Sequence, residues 1–135
     1  MSREIFTQKV RIAPDDIDML GHVNNIVYLR WAQDIAVAHW MARAAPEMVA
    51  AYVWVVARHE VDYRAPLQLG DEIEARTWVA DAAEGAKWAR FVEIGKIGAS
   101  RPAASIKTQW CLLNANTRRV MRVPDAIIER FAPQN

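Results

Sequence analysis

The chain is poor in the features that assign a protein quickly. It has a single cysteine, Cys111, in 135 residues, so no internal disulfide can form and no cysteine-based zinc site has its ligands. Its five glycines do not fall in the spacing of a phosphate-cradling loop, whether of the Walker or the dinucleotide type. No stretch approaches the roughly 18 consecutive apolar residues that span a bilayer, and residues 1–11 lack the apolar core of a signal peptide. Neither sign of charge dominates, since 17 Lys+Arg face 16 Asp+Glu for a net charge of +1. Such a balance gives no broad field toward nucleic acid or an anionic membrane. The expectation is a soluble cytoplasmic protein with neither of those partners.

What is present in excess is apolar surface. Hydrophobic residues make up 53% of the chain, with six tryptophans. A length of 135 residues suits one domain, 1–135, with a core of its own. Part of so large an aromatic load is expected to close against a partner, and a homodimer or homotetramer is the economical choice.

Periodicity orders the chain. Residues 5–12 alternate as a strand, with Phe6, Val10 and Ile12 opposite Thr7, Lys9 and Arg11, and Ala13-Pro14 stops it. From about residue 25 to 44 there is neither Pro nor Gly, and Tyr28, Trp31, Ala32, Ile35, His39 and Ala42 fall in one helical arc. The other face carries Arg30 and Asp34, a candidate i,i+4 pair, but also Val37 and Met41, so this helix is expected to be covered on more than one side. Pro46 ends it, and residues 47–51 make a connection or a helical turn. The period then changes to two. Strands are expected over 52–63, with Val53, Val55, Ala57 and Val61 on one face, and over 72–80, 87–97 and 103–114. The last strand is a candidate for the centre of the sheet. A short helix over 124–131 opens on Pro124 and Asp125. One strand, a long helix and a run of strands joined by short turns make an α+β fold with the helix packed on an antiparallel sheet.

The densest chemistry lies just ahead of the long helix. Asp18 and His22 stand four apart across Gly21, and Asn24 or Asn25 can cap the helix that follows. A carboxylate, an imidazole and free helix N-terminal amides would then share a small volume.

This stretch, Asp18-Met19-Leu20-Gly21-His22-Val23-Asn24-Asn25 followed by Tyr28-Leu29-Arg30-Trp31, together with Val61-Asp62-Tyr63-Arg64-Ala65-Pro66 and Leu69-Gly70-Asp71-Glu72-Ile73, resembles the hotdog-fold thioesterases of the 4-hydroxybenzoyl-CoA thioesterase and acyl-ACP thioesterase-like superfamily. The resemblance covers nearly the whole chain. It implies a long central helix wrapped by a five-stranded antiparallel sheet, and subunits paired so that active sites form at their interface. It further implies hydrolysis of an acyl-CoA or acyl-ACP thioester with no metal or redox cofactor. By position, Asp18 falls on the aspartate that acts on the thioester carbonyl as nucleophile or general base, and His22 on a histidine of the acyl-ACP branch. Two positions depart from the family patterns. Leu20 stands where the acyl-ACP enzymes have asparagine, and Asn25 where a bacterial acyl-CoA branch has histidine.

Thioester hydrolysis needs a base or nucleophile at the carbonyl carbon and donors where the oxyanion develops. The catalytic candidates are Asp18 and His22, with the helix N-terminal amides as oxyanion donors. The substrate-binding candidates are Asn24, Asn25 and Arg64. The bland alternatives are a turn-capping Asp18 and a packing His22. Arg58, His59, Arg64, Arg118 and Arg119 could meet a CoA phosphate or an acidic carrier protein. His39 lies on the apolar arc and is expected in the interior, and Cys111 is expected to be a buried, inert thiol. Two other functions compete, an acyl-thioester hydratase or dehydratase and a non-catalytic acyl-thioester binding module. The hydratase pattern has Asp and His five apart with an adjacent Asn-Pro, neither of which is present.

Overall fold

The computed structural model describes residues 4–132. In chain order it contains β1 (Phe6–Val10), a 3-10 turn (Pro14–Asp16), α1 (Asn25–Arg43), α2 (Pro46–Ala51), β2 (Tyr52–Tyr63), β3 (Ile73–Val79), β4 (Lys87–Lys96), β5 (Ala104–Asn114) and α3 (Asp125–Phe131). The strands form one antiparallel sheet in the order β1-β3-β4-β5-β2. This is the expected α+β arrangement, a five-stranded antiparallel sheet with the long helix packed against it. β4 is the middle strand and β5 lies beside it, with β1 and β2 at the two edges.

The long helix runs as its sequence dictates. Asn24 caps it, with its side-chain oxygen accepting from the Ile26 N–H. At the other end the Ala44 N–H bonds to the Trp40 carbonyl, and Pro46 then forces a new start. Val27, Tyr28, Trp31, Ala32, Ile35, Ala36 and His39 are buried along one stripe. Two expectations for this helix need correction. Ala42 is exposed, because the stripe turns off the sheet in the last turn. Val37 and Met41 are 56% and 58% exposed, so the second face is open rather than covered by the rest of the chain. Arg30 does not pair with Asp34 but with the buried carboxylate of Asp16, at 2.8 Å.

The core has two lobes. One gathers Val27, Tyr28, Trp31 and Ile35 of α1 against Ile73, Ala75, Val92, Ile94 and Ile106 of the sheet. The other gathers Val79, Trp88 and Leu112 against Ile127 and Phe131 of α3. His39, fully buried, lies between them, stacked on Phe6 and edge-on to Phe131. Cys111 is buried and free.

Strand β2 departs from simple alternation. Its pairing with β5 shifts between Val56 and Arg58, which leaves Ala57 as a bulge. A bulge flips the phase, so Trp54 and Val56 face inward before it, and His59 and Val61 after it. Val53, Val55, Ala57 and Val61 therefore do not share one face. Val55 is 41% exposed. No helix among the described residues is long and apolar enough to cross a membrane.

Candidate active site

The loop ahead of α1 is a closed unit built by its aspartate. The Asp18 N–H bonds to the His22 carbonyl at 2.8 Å, and the Gly21 N–H bonds back to the Asp18 carbonyl at 3.0 Å. Gly21 takes φ 80, a left-handed conformation that a side chain disfavours. A bridge between Ile17 and Val23 closes the base of the loop, and the Val23 N–H anchors it to the Leu67 carbonyl at 2.8 Å. Within it, Asp18 Oδ1 accepts the N–H of Leu20 at 2.9 Å and of His22 at 3.2 Å. Both bonds use the same oxygen, so the carboxylate is held in one orientation while Oδ2 has no partner among the described residues. Asp18 lines an open hollow together with Ile17, Met19, Leu20 and Asn24. Met19 and Leu20 stand at the tip of the loop, 102% and 79% exposed, so they do not bury the carboxylate.

The helix N-terminus beside this loop is only partly spent. Asn24 Oδ1 takes the Ile26 N–H at 3.2 Å, and the Asn24 carbonyl takes that of Val27 at 2.9 Å. The Asn25 N–H has no acceptor among the described residues, as the first amide of a helix commonly lacks one. Asn24 is thus the structural cap, and Asn24→Ala is expected to cost about 1 kcal/mol of stability, measured as a lower urea midpoint with an unchanged slope.

His22 is half-buried, and only its backbone N–H, not its imidazole, bonds to Asp18. Asn25 is exposed, and its carbonyl accepts from the Tyr63 hydroxyl at 2.9 Å. Tyr63, edge-on to Tyr28 at 5.4 Å, thereby ties the far end of β2 to the start of α1, a link that sequence reasoning missed. Arg64 donates to Ser105 Oγ and lies 3.8 Å from Asp62. Asp16, also missed, is buried and accepts from the Ala13 N–H and from Arg30. Burial pushes its carboxyl up, but these two donors outweigh burial and hold it below the ordinary carboxylate range.

The basic candidates do not converge on one phosphate. Tyr63 pairs with Ala104 and Tyr52 with Asn114 across β2 and β5, so Arg64 and the Arg118-Arg119 turn lie at opposite ends of these strands, about 35 Å apart at 3.3 Å per residue. Arg58 pairs with Glu60 at 3.1 Å, and His59 bonds to Thr108 Oγ1 at 2.8 Å. Among the described residues no group of three or more His, Cys, Asp or Glu could hold a metal ion.

A second concavity, of about 290 Å³, lies farther along α1. Its walls include Ala36, Val37, Trp40 and Met41, eleven to sixteen residues beyond Asn25, or about 17–24 Å at 1.5 Å per residue. Near it runs a buried polar chain. Arg90 Nη1 donates to His39 Nδ1 at 2.9 Å and to Thr77 Oγ1 at 3.0 Å. Arginine only donates, so Nδ1 is bare, and the His39 proton sits on Nε2, which donates to Glu4 Oε1 at 2.7 Å. Burial holds the imidazole below its ordinary value; the bond to Glu4 opposes this, and the Arg90 charge adds to it. Burial likewise pushes the Arg90 guanidinium down to about 10, against the pull of Glu4.

A five-stranded antiparallel sheet packed on one long helix, with a carboxylate loop at that helix's N-terminus, defines a hotdog-fold protein. The chain belongs to the thioesterase-like superfamily, whose model matches residues 12–131. In sequence it is 26% identical over 81 residues to an acyl-[acyl-carrier-protein] hydrolase, chloroplastic, of Cuphea viscosissima, a match covering 60% of this chain and 19% of that protein. The match thus spans less than a fifth of the length of these curated relatives. A thioesterase from Thermus thermophilus, solved in complex with coenzyme A and zinc, superposes with a TM-score of 0.78 at 28% identity, over 96% of this chain and 98% of that one. A 1,4-dihydroxy-2-naphthoyl-CoA thioesterase from Synechocystis superposes with a TM-score of 0.81 at 15% identity, over 96% and 97%, and shows the shared fold.

Proposed function

We propose that this protein hydrolyses an acyl-CoA or acyl-ACP thioester to the free acid and thiol, with Asp18 as the reacting side chain. The observation that carries the reading is the division of labour within that carboxylate. Oδ1 is fixed by two backbone N–H groups, Oδ2 has no partner among the described residues, and Asp18 lines an open hollow beside a helix N-terminus. A positioned oxygen of this kind either takes a proton from an attacking water or attacks the thioester carbon itself. The Asn25 N–H, at the positive end of α1, is the donor for the oxyanion that develops. His22, whose imidazole makes no bond among the described residues, and the side-chain amides of Asn24 and Asn25 then contact the acyl-thioester. Arg64 meets the coenzyme or the carrier as a charge at the rim.

The same reading includes a homodimer or homotetramer. Strand β2 is a sheet edge with Val55 and Tyr63 41% and 44% exposed. Ile26 beside the loop is 70% exposed, along with Met19 and Leu20. Antiparallel pairing of two β2 edges would continue the sheet and cover an edge that otherwise invites aggregation. It would also bring the Tyr52 end of one copy beside Tyr63 and the Asp18 loop of the other. A cytoplasmic setting, in the metabolism of fatty-acyl thioesters, belongs to this reading too.

The test is release of free thiol from a panel of short, long and aromatic acyl-CoAs and an acyl carrier protein thioester. One class is expected to reach a kcat/KM of about 10⁴ M⁻¹s⁻¹ or more. Absence of thiol release across the panel sinks hydrolysis, and enoyl-CoA hydration faster than thiol release would replace it with the hydratase reading.

A further inference from the structure

The second cavity presents donors without acceptors. Its wall is aromatic and aliphatic, with Trp40 from α1, Tyr52 and Trp54 from β2, Trp88 from β4 and Phe131 from α3. Arg90 lines it too, only 8% exposed. Its two bonds, to His39 and Thr77, are both made through Nη1, and no group among the described residues bonds Nη2 or Nε. A guanidinium carries five N–H donors, and a buried charge is ordinarily paired. Here the nearest compensation is indirect. Glu4 takes the His39 N–H with one oxygen and Arg43 with the other, at 2.6 Å. One carboxylate therefore answers two guanidiniums through a neutral imidazole, and one positive charge is left over. The indole N–H of Trp110, in the same wall, also has no acceptor among the described residues but is closed off from the cavity.

We propose that this cavity is a binding site for a compact apolar carboxylate, with the hydrocarbon body among the tryptophans and the carboxylate oxygens taking hydrogen bonds from Arg90. Charge complementarity fixes the head of the ligand, because a cation in an apolar wall is matched by an anion and left unsatisfied by a neutral alkyl chain. Volume fixes the body. At about 290 Å³ the cavity is at the lower end of the 300–1,000 Å³ usual for small-molecule sites, the size for one ring or a short branched chain. Two sources supply this chemistry, a free carboxylic acid and the far-end carboxylate of a thioester of a dicarboxylic acid. The site itself does not depend on the hydrolase reading.

With four tryptophans in the wall, occupancy is readable by their fluorescence. The intact protein is titrated with 3-phenylpropionate and, separately, with 3-phenylpropionamide, which has the same body and no charge. A saturable change with the acid is expected, and binding of the amide weaker by about tenfold or more. Arg90→Lys is expected to weaken the acid severalfold by breaking the fork geometry. The acid and amide comparison needs no variant, so it decides even where Arg90→Lys fails to fold. Equal binding of acid and amide, or no saturable response to the acid up to about 10 mM, overturns the proposal. The source is read from kcat/KM for adipoyl-CoA against hexanoyl-CoA, since so short an acyl group reaches this cavity only from the Asp18 loop of a second copy, which the β2 pairing proposed above would set beside the Tyr52 wall. A preference for adipoyl-CoA that Arg90→Lys abolishes assigns the far-end carboxylate, whereas acid binding with no such preference assigns the free acid. Acid binding without thiol release from any thioester would defeat the hydrolase reading and leave this site standing.

Discussion

Asp18→Asn is expected to lower kcat/KM for the preferred acyl thioester by about 10²–10⁴, the range usual for loss of a positioned acid–base group, while changing stability by less than about 0.5 kcal/mol. The two parts of the expectation follow from the two oxygens. Asparagine keeps an Oδ1 acceptor for the N–H groups of Leu20 and His22, so the loop closes as before. What it replaces is Oδ2, the oxygen without a partner among the described residues, by an amide that can neither accept a proton nor attack a carbonyl. Loss should fall on kcat and kcat/KM together, with KM little changed, because the lost interaction exists only in the transition state. Asp18→Ala separates this role from turn capping. It removes both backbone bonds and is expected to cost about 1–2 kcal/mol of stability with activity no higher than that of the asparagine variant. An asparagine variant at wild-type turnover, beside a destabilised alanine variant, would assign Asp18 to the turn alone.

The elements of this fold were legible where a local rule decided them. Asn24 ahead of an uninterrupted helical stretch, and Pro46 after it, mark α1 to within a residue of Asn25–Arg43. The change of period at Tyr52 marks β2, and the alternation of Ile73, Ala75, Thr77 and Val79 matches their burial in β3. Local rules stop short of long-range partners. Sequence spacing offered Arg30 only Asp34, and its pairing with Asp16 instead follows from a 3-10 turn that buries Asp16. The bulge at Ala57 is set by pairing with β5, not by any residue that marks a bulge from sequence. Nor could the order β1-β3-β4-β5-β2 be fixed from alternation alone.

The same limit separates the two sites. The Asp18 loop is contiguous in sequence, so its chemistry can be seen in five residues. The aromatic cavity draws on segments from Ala36 to Phe131, and no short stretch announces it. One signal was nonetheless present. Arg90 alternates in phase with Trp88, Val92 and Ile94, all buried in β4, and a charge in phase with a core face is a buried polar group that needs an explanation.

His39→Leu is expected to lower stability by about 2–5 kcal/mol, since removing one member of a buried charged network leaves the others unpaired. Arg90 would keep only Thr77 on Nη1, and Glu4 only Arg43. Leucine fills much of the ring's volume, so the loss measures bonds more than a cavity. His39→Gln, able to accept from Arg90 and donate to Glu4, should lose less. The pH profile distinguishes the network from simple packing. The folded imidazole is held below its ordinary value near 6.5, first by burial and then by the Arg90 charge against the bond to Glu4. As pH falls below about 6.5 the unfolded chain takes up a proton that the folded chain still refuses. Stability from His39 is therefore full above that pH and is lost as pH falls through the folded value. His59, lowered by burial alone, contributes the same sign of slope in both proteins and cancels in their difference. Glu4 and Asp16, both held below the carboxylate range, add their losses only in more acid solution. Urea denaturation from pH 8 to pH 5 should thus show the wild type and His39→Leu converging as pH falls, whereas parallel curves would mean that the imidazole is packed there without serving the chain of bonds from Glu4 to Arg90.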